Sequence, residues 1–187
     1  MGSRLRVEAP DVAAGYDWGA LGHLVDVGGG NGTLLAAILT AHPGLRGTLV
    51  DLAGPAEAGR RTLADAGVGD RCEIVARSFF EPLPAGAGAY LLSGVLHDWD
   101  DEHALEILRR CAEAAGLAGR VLVIEHGMRA DAAESSMRTE MNLRMLAYVG
   151  GRERTLGELE QLAARAGLPR CAVHHITRYR SVLELRV

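Results

Sequence analysis

Cysteine is scarce. The 187 residues hold three, and Cys72, Cys111 and Cys171 stand far apart, with no C-x-x-C pair. That excludes a disulfide scaffold and the ligand spacing of a zinc domain, and it reads as reduced thiols in a cytoplasmic protein. Long apolar runs are absent as well: no stretch approaches the ~20 residues of a membrane span, and "MGSRLRVEAP" has no signal-peptide core. There is no long basic run, and the net charge is −4. A charged nucleic-acid surface is therefore not expected, and neither is a membrane partner. The seven histidines include the pair His174–His175. Nothing at helical spacing joins them, so no metal site is expected.

What is present suits one globular domain with a sizeable core: 48% of residues are apolar and 24% charged. Apolar runs alternate with helical patterns. Strands are predicted over 23–28, 47–52, 72–77, 89–96, 119–126, 171–177 and 181–187. Helices are predicted over 32–42, 55–67, 101–116 and about 133–147, and a last one runs to Gly167 from a Thr155–Glu158 capping box. Strand–helix alternation argues for a parallel sheet covered on both faces. The last two strands are too close in sequence for a helical crossover, so they should pair antiparallel.

"VDVGGGNG" (25–32) lies where the first strand becomes the first helix. Glycines there let the backbone turn tightly and a ligand approach closely, while the helix N-terminus offers free N–H groups. The dinucleotide pattern G-x-G-x-x-G wants Gly or Ala at its last position, which here is Thr33. Asp51 ends the second strand, where a carboxylate can accept hydrogen bonds from a ribose. Together these features imply a ribose-bearing ligand without deciding which; a tight turn and a strand-end aspartate is the plainer alternative.

In order, "LVDVGGGNG", "LVDL", "SFFEPLP", "LLSGVLHDWDDEHALEILRRC", "VLVIE" and "GGRERT" resemble the S-adenosylmethionine-dependent O-methyltransferases of phenols and other small molecules. The likeness is greatest to bacterial enzymes that decorate aromatic polyketides, and it runs from about Tyr16 to the C-terminus. It implies an α/β fold, the class I methyltransferase Rossmann-like sheet of seven strands in order 3-2-1-4-5-7-6 with the last strand antiparallel. Residues 16–187 would be the catalytic domain and 1–15 a lead-in or remnant. Full-length relatives carry a helical N-terminal domain that dimerises and closes over the acceptor. The expectations are an excised domain, a natural short protein, or a homodimer or separate chain supplying that part.

The resemblance also implies roles. Asp26, Gly28 and Gly30 would serve the methionine part of the cofactor, Asp51 its ribose, and Leu52 and Phe79 its adenine. Ser78 stands where relatives usually have Asp, Ser93 where they touch the cofactor, and Trp99 would shield it. Met141, Asn142 and Met145 match acceptor-facing positions. His97 takes the place of the general base, with Glu125 and Glu153 as its acidic partners. The product would be S-adenosylhomocysteine, with no metal.

The chemistry is consistent with those roles. A phenol has a pKa near ~10 and histidine ~6.5, so full deprotonation beforehand costs roughly 3–5 kcal/mol. Proton transfer during attack avoids much of that cost and is worth ~10²–10⁴ in rate. The competing reading makes His97 a helix-entry residue, with Asp98, Asp100 and Asp101 as dipole partners of the following helix. Two other functions stay open: a methyltransferase-like enzyme that decarboxylates, hydroxylates or cyclises, and an inactive cofactor-binding module.

Overall fold

The structure, a computed structural model, describes residues 2–125, 151–177 and 180–187. The helix expected over 133–147, and with it Met141, Asn142 and Met145, lies outside the described residues. Seven strands form one sheet: β1 (His23–Val27), β2 (Arg46–Asp51), β3 (Cys72–Ala76), β4 (Ala89–Ser93), β5 (Arg120–Ile124), β6 (Arg170–His175) and β7 (Ser181–Arg186). Their order is β3-β2-β1-β4-β5-β7-β6. β1 to β5 pair in parallel, and β7 runs antiparallel to both β5 and β6. This is the sheet expected from the strand pattern and the resemblance.

The helices are α1 (Gly2–Ala14), α2 (Thr33–Ala41), α3 (Ala53–Asp65), α4 (Asp101–Ala115) and α5 (Leu156–Arg165). They cover both faces, so strand residues of either parity are buried and the strands read as continuous apolar runs. Leu24, Leu49, Leu91 and Leu122 pack with α1, α2 and Leu63 of α3. Val25, Val27, Tyr90, Leu92, Val121 and Val123 pack with α4 and α5. Among the described residues no helix is long and apolar enough to cross a membrane.

Two local features depart from the sequence expectations. Residues 2–14, which carry no motif and contain Pro10, form α1. Its Ala9, Val12 and Ala13 are buried with α2, and the fully buried Trp18 donates its indole N–H to the Val12 carbonyl at 2.9 Å. Tertiary burial holds this helix where local propensity argues against it. The strand predicted over 89–96 ends at Ser93. Beyond it the backbone N–H groups of Val95 and Leu96 donate to the Glu125 carboxylate instead of to a strand, and residues Leu96–Asp98 close into a 3-10 turn.

The expected capping box is present, and a second helix start is capped as well. Asp100 accepts from the His103 backbone N–H at 2.9 Å and caps α4, while Thr155 and Glu158 make the complete capping box of α5.

Candidate active site

Parallel strands in an open α/β sheet put their carboxyl ends on one edge, and a crevice opens where the strand order reverses, here between β1 and β4. The glycine loop after β1, Asp51 at the end of β2, Ser78 and Phe79 after β3, Ser93 at the end of β4, His97 just beyond it and Glu125 after β5 all gather on that edge.

At its β1–β2 side the crevice is built from backbone. Gly30 has φ +60°, and a side chain there would point into open space. Its N–H donates to Asp51 Oδ2 at 2.8 Å, and the Leu52 N–H donates to Oδ1 at 2.7 Å. The Asp51 carboxylate is therefore fixed by two backbone donors and only half-buried. Leu52 beside it is 58% exposed, a large apolar surface at the rim. Gly28 lies so close to the far wall that an added Cβ would come within 2.9 Å of Val95 and 3.3 Å of Phe79. Asp26 is placed differently: it is 2% exposed and lies beneath Gly29, supporting the loop from below without lining the crevice. Burial first, and then the charge of Asp51, pushes its carboxyl up to about 7.

The β3–β4 side is aromatic. Phe79, Phe80, Trp99 and His103 form a ring cluster with centroids 4.9 to 5.9 Å apart; Trp99 meets both phenylalanines edge to face. The Ser78 hydroxyl accepts from the Phe80 N–H, and the Glu81 carboxylate accepts from the Ser78 N–H. Ser78 is thus a turn-forming serine with a glutamate three residues on.

The imidazole is held from one side. His97 is 1% exposed, and its Nδ1 lies 2.6 Å from Glu125 Oε2. Glu125 Oε1 accepts from the backbone N–H groups of Val95 and Leu96, so this buried carboxylate is saturated. A carboxylate only accepts, so a proton sits on Nδ1, and in the neutral ring the lone pair is on Nε2. Nε2 makes no hydrogen bond to a described group; Asp98 Oδ1 stands 3.4 Å away on a side chain that is 42% exposed. Burial works to lower the imidazole pKa, but the Glu125 hydrogen bond and charge, then the charges of Asp98 and Glu153, carry it up to about 9. Glu153 is buried near enough to feel the imidazole, and its own pKa is raised by burial.

The structure thus brings His97, Glu125 and Glu153 together, and separately the glycine loop with Asp51 and Leu52. Asp100 and Asp101 turn away: Asp100 caps α4, and Asp101 pairs with Arg152 and Arg154. Arg154 was not among the sequence candidates. It is 2% exposed, and nothing in the sequence marks a buried arginine except its place between Glu153 and the capping threonine.

Comparison with known proteins identifies the family. A general description of the O-methyltransferase domain matches residues 1–169. The 2,7-dihydroxy-5-methyl-1-naphthoate 7-O-methyltransferase of Streptomyces carzinostaticus is 56% identical over 185 residues, which are 99% of this chain and 54% of that protein. The aclacinomycin 10-hydroxylase RdmB of Streptomyces purpurascens is 52% identical over 165 residues, 88% of this chain and 44% of that protein. A crystal structure of the O-methyltransferase NcsB1 from neocarzinostatin biosynthesis, in complex with S-adenosylmethionine and 2-hydroxy-5-methyl naphthoic acid, superposes with a TM-score of 0.90 at 55% identity. It covers 98% of this chain and 54% of that one. The chain spans about half the length of the curated relatives it matches.

Proposed function

The chain belongs to the O-methyltransferase domain family, and from that premise we propose that it transfers a methyl group from S-adenosylmethionine to a hydroxyl of a phenolic or polyketide-like aromatic acceptor. Residues 16–187 are the catalytic unit in this reading. The observation that carries it is the Glu125–His97 pair, which tethers Nδ1 and leaves Nε2 without a hydrogen-bond partner among the described residues, so that it is the basic nitrogen of the neutral ring.

The crevice suits the cofactor. Asp51, fixed by Gly30 and Leu52, would take the ribose hydroxyls; Leu52 and Phe79 would cover the adenine, with Ser78 and Ser93 at its edges; the backbone of Gly28 and Gly30 would take the methionine end; Trp99 would close the side. Bound there, S-adenosylmethionine supplies a methyl carbon already activated by its sulfonium.

The chain's own residues handle the proton. His97 Nε2 takes it from the acceptor hydroxyl, Glu125 keeps the ring in the required tautomer, and Glu125 and Glu153 favour the resulting cation. An imidazole raised to about 9 is close in basicity to a phenolate, so the transfer is uphill by only about one pK unit, roughly 1.4 kcal/mol. Because His97 is 1% exposed, acceptor entry must be accompanied by an opening over the ring. If Met141, Asn142 and Met145 face the acceptor as in relatives, the two methionines give its flat ring a soft wall.

The identity to a named hydroxylase supports a second reading, in which the same crevice serves oxygenation. Mass spectrometry separates the two. The chain is incubated with S-adenosylmethionine and 2-hydroxy-5-methyl naphthoic acid or a panel of related phenols. One added methylene with equimolar S-adenosylhomocysteine supports transfer. With dioxygen and a two-electron reductant supplied, an added oxygen with the cofactor unspent supports the second reading. Cofactor binding with no product from any acceptor would leave a binding module.

A further inference from the structure

The loop that carries His97 is gripped from two directions by residues far away in sequence. From the β5 side, Glu125 takes the N–H groups of Val95 and Leu96. From the opposite side comes Arg154. Its Nη1 donates to the Leu96 carbonyl at 2.6 Å and its Nη2 to the Trp99 carbonyl at 2.8 Å, while Nε and Nη2 both donate to Asp101 Oδ1, at 2.9 and 2.8 Å. The two peptide units flanking the Leu96 Cα, immediately before His97, are thus pinned, one by its N–H and the other by its C=O. Gly151 completes the seat. It packs so tightly on the backbone of His97 and Asp98 that no side chain fits there.

A guanidinium that is 2% exposed is an expensive way to hold a fold together. Its desolvation offsets most of the Coulombic gain from a single half-exposed aspartate. What the planar fork does supply is fixed directionality, with donors aimed at separate carbonyls on either side of one residue.

We propose that Arg154 is a positioning residue for the base, setting the place of the imidazole by clamping the 96–101 segment against Glu125. The inference rests on the reading of His97 as general base. Arg154 acts through the backbone carbonyls of Leu96 and Trp99, on either side of His97. A ring displaced by about 1 Å loses on the order of 10²-fold in rate.

Arg154→Lys keeps the charge and loses the fork. The first measurement is the proton resonance of the His97 Nδ1–H in histidine-labelled full chain, which needs no acceptor. The parent should show a sharp signal far downfield, as a 2.6 Å bond to a carboxylate requires. Arg154→Lys should shift or broaden it while S-adenosylhomocysteine affinity stays at the parent value. An unchanged signal overturns the proposal.

The second measurement is turnover of 2-hydroxy-5-methyl naphthoic acid in a cycle with His97→Gln. Arg154→Lys should lower kcat ~10–100-fold in the parent and leave it within about twofold in the His97→Gln background, since a clamp with no base to place has nothing to lose. An equal loss in both backgrounds would mean a merely structural role and overturn the proposal. If His97→Gln itself costs nothing, the base reading fails, and the resonance still decides whether Arg154 orders the ring. Should Arg154→Lys not fold, Asp101→Asn loosens the clamp from its other end and is expected to change the same signal in the same direction.

Discussion

Glu125 Oε2 lies 2.6 Å from Nδ1 of His97, and both side chains are out of solvent. The same carboxylate accepts two backbone N–H groups through its other oxygen, so its orientation is fixed by the chain itself and is not an accident of rotamer. The histidine's tautomer, and the largest share of the rise in its basicity, follow from this contact.

Replacing His97 by Gln removes the proton acceptor and should lower kcat ~10²–10⁴-fold, with S-adenosylhomocysteine affinity unchanged. In the parent, kcat/KM should climb with pH and level off near 9, because the base works only when neutral and its pKa is carried up to about 9. The variant should lose that limb. A pH–rate series on both proteins checks this.

Glu125→Gln is a test of tautomer. The amide oxygen would stay with the Val95 and Leu96 N–H groups, turning the NH₂ toward Nδ1. Nδ1 would then accept and Nε2 would carry the proton, the wrong arrangement for a base. A loss approaching that of His97→Gln is expected, by initial-rate assay, with the fold retained by circular dichroism.

Stability should fall as pH rises, in two adjoining windows. The His97 pKa is raised from 6.5 to about 9, so its contribution is complete below 6.5 and lost through 9, by roughly 3 kcal/mol at 1.36 kcal/mol per unit. The Asp26 carboxyl is raised from 3.8 to about 7, so the cost of burying its charged form is absent below 3.8 and complete above 7. Urea unfolding from pH 4 to 9 should therefore show His97→Gln flattening the upper window and Asp26→Asn the lower.

Asp51→Asn should weaken cofactor binding. An amide can accept from only one of the Gly30 and Leu52 N–H groups and would set its own NH₂ against the other. A donor facing a donor costs ~1–3 kcal/mol, roughly 10–100-fold in affinity for S-adenosylhomocysteine by calorimetry.

Much of the site could be read along the chain. The spacing of Thr155 and Glu158 announced the start of α5, and the glycine loop followed by Asp51 announced a crevice. "LHDWDDE" and "GGRERT" singled out His97 and Glu153. Less legible were the features that depend on partners far away. The N-terminal helix hid behind Pro10 and was revealed only by burial against α2. The strand end at Ser93 depended on a carboxylate about thirty positions on, which took the N–H groups a longer strand would have used. Arg154 carried no signal of its own along the chain.

By itself, then, the sequence determined what short-range physics carries: the alternation that builds a parallel sheet, the edge on which its loops collect, and the residue types gathered there. Only the tertiary structure decided which imidazole nitrogen is tethered, how basic the ring becomes and what holds its loop. Those properties arise between groups 28 and 58 positions apart, and their strength comes from exclusion of water, which only the assembled fold provides.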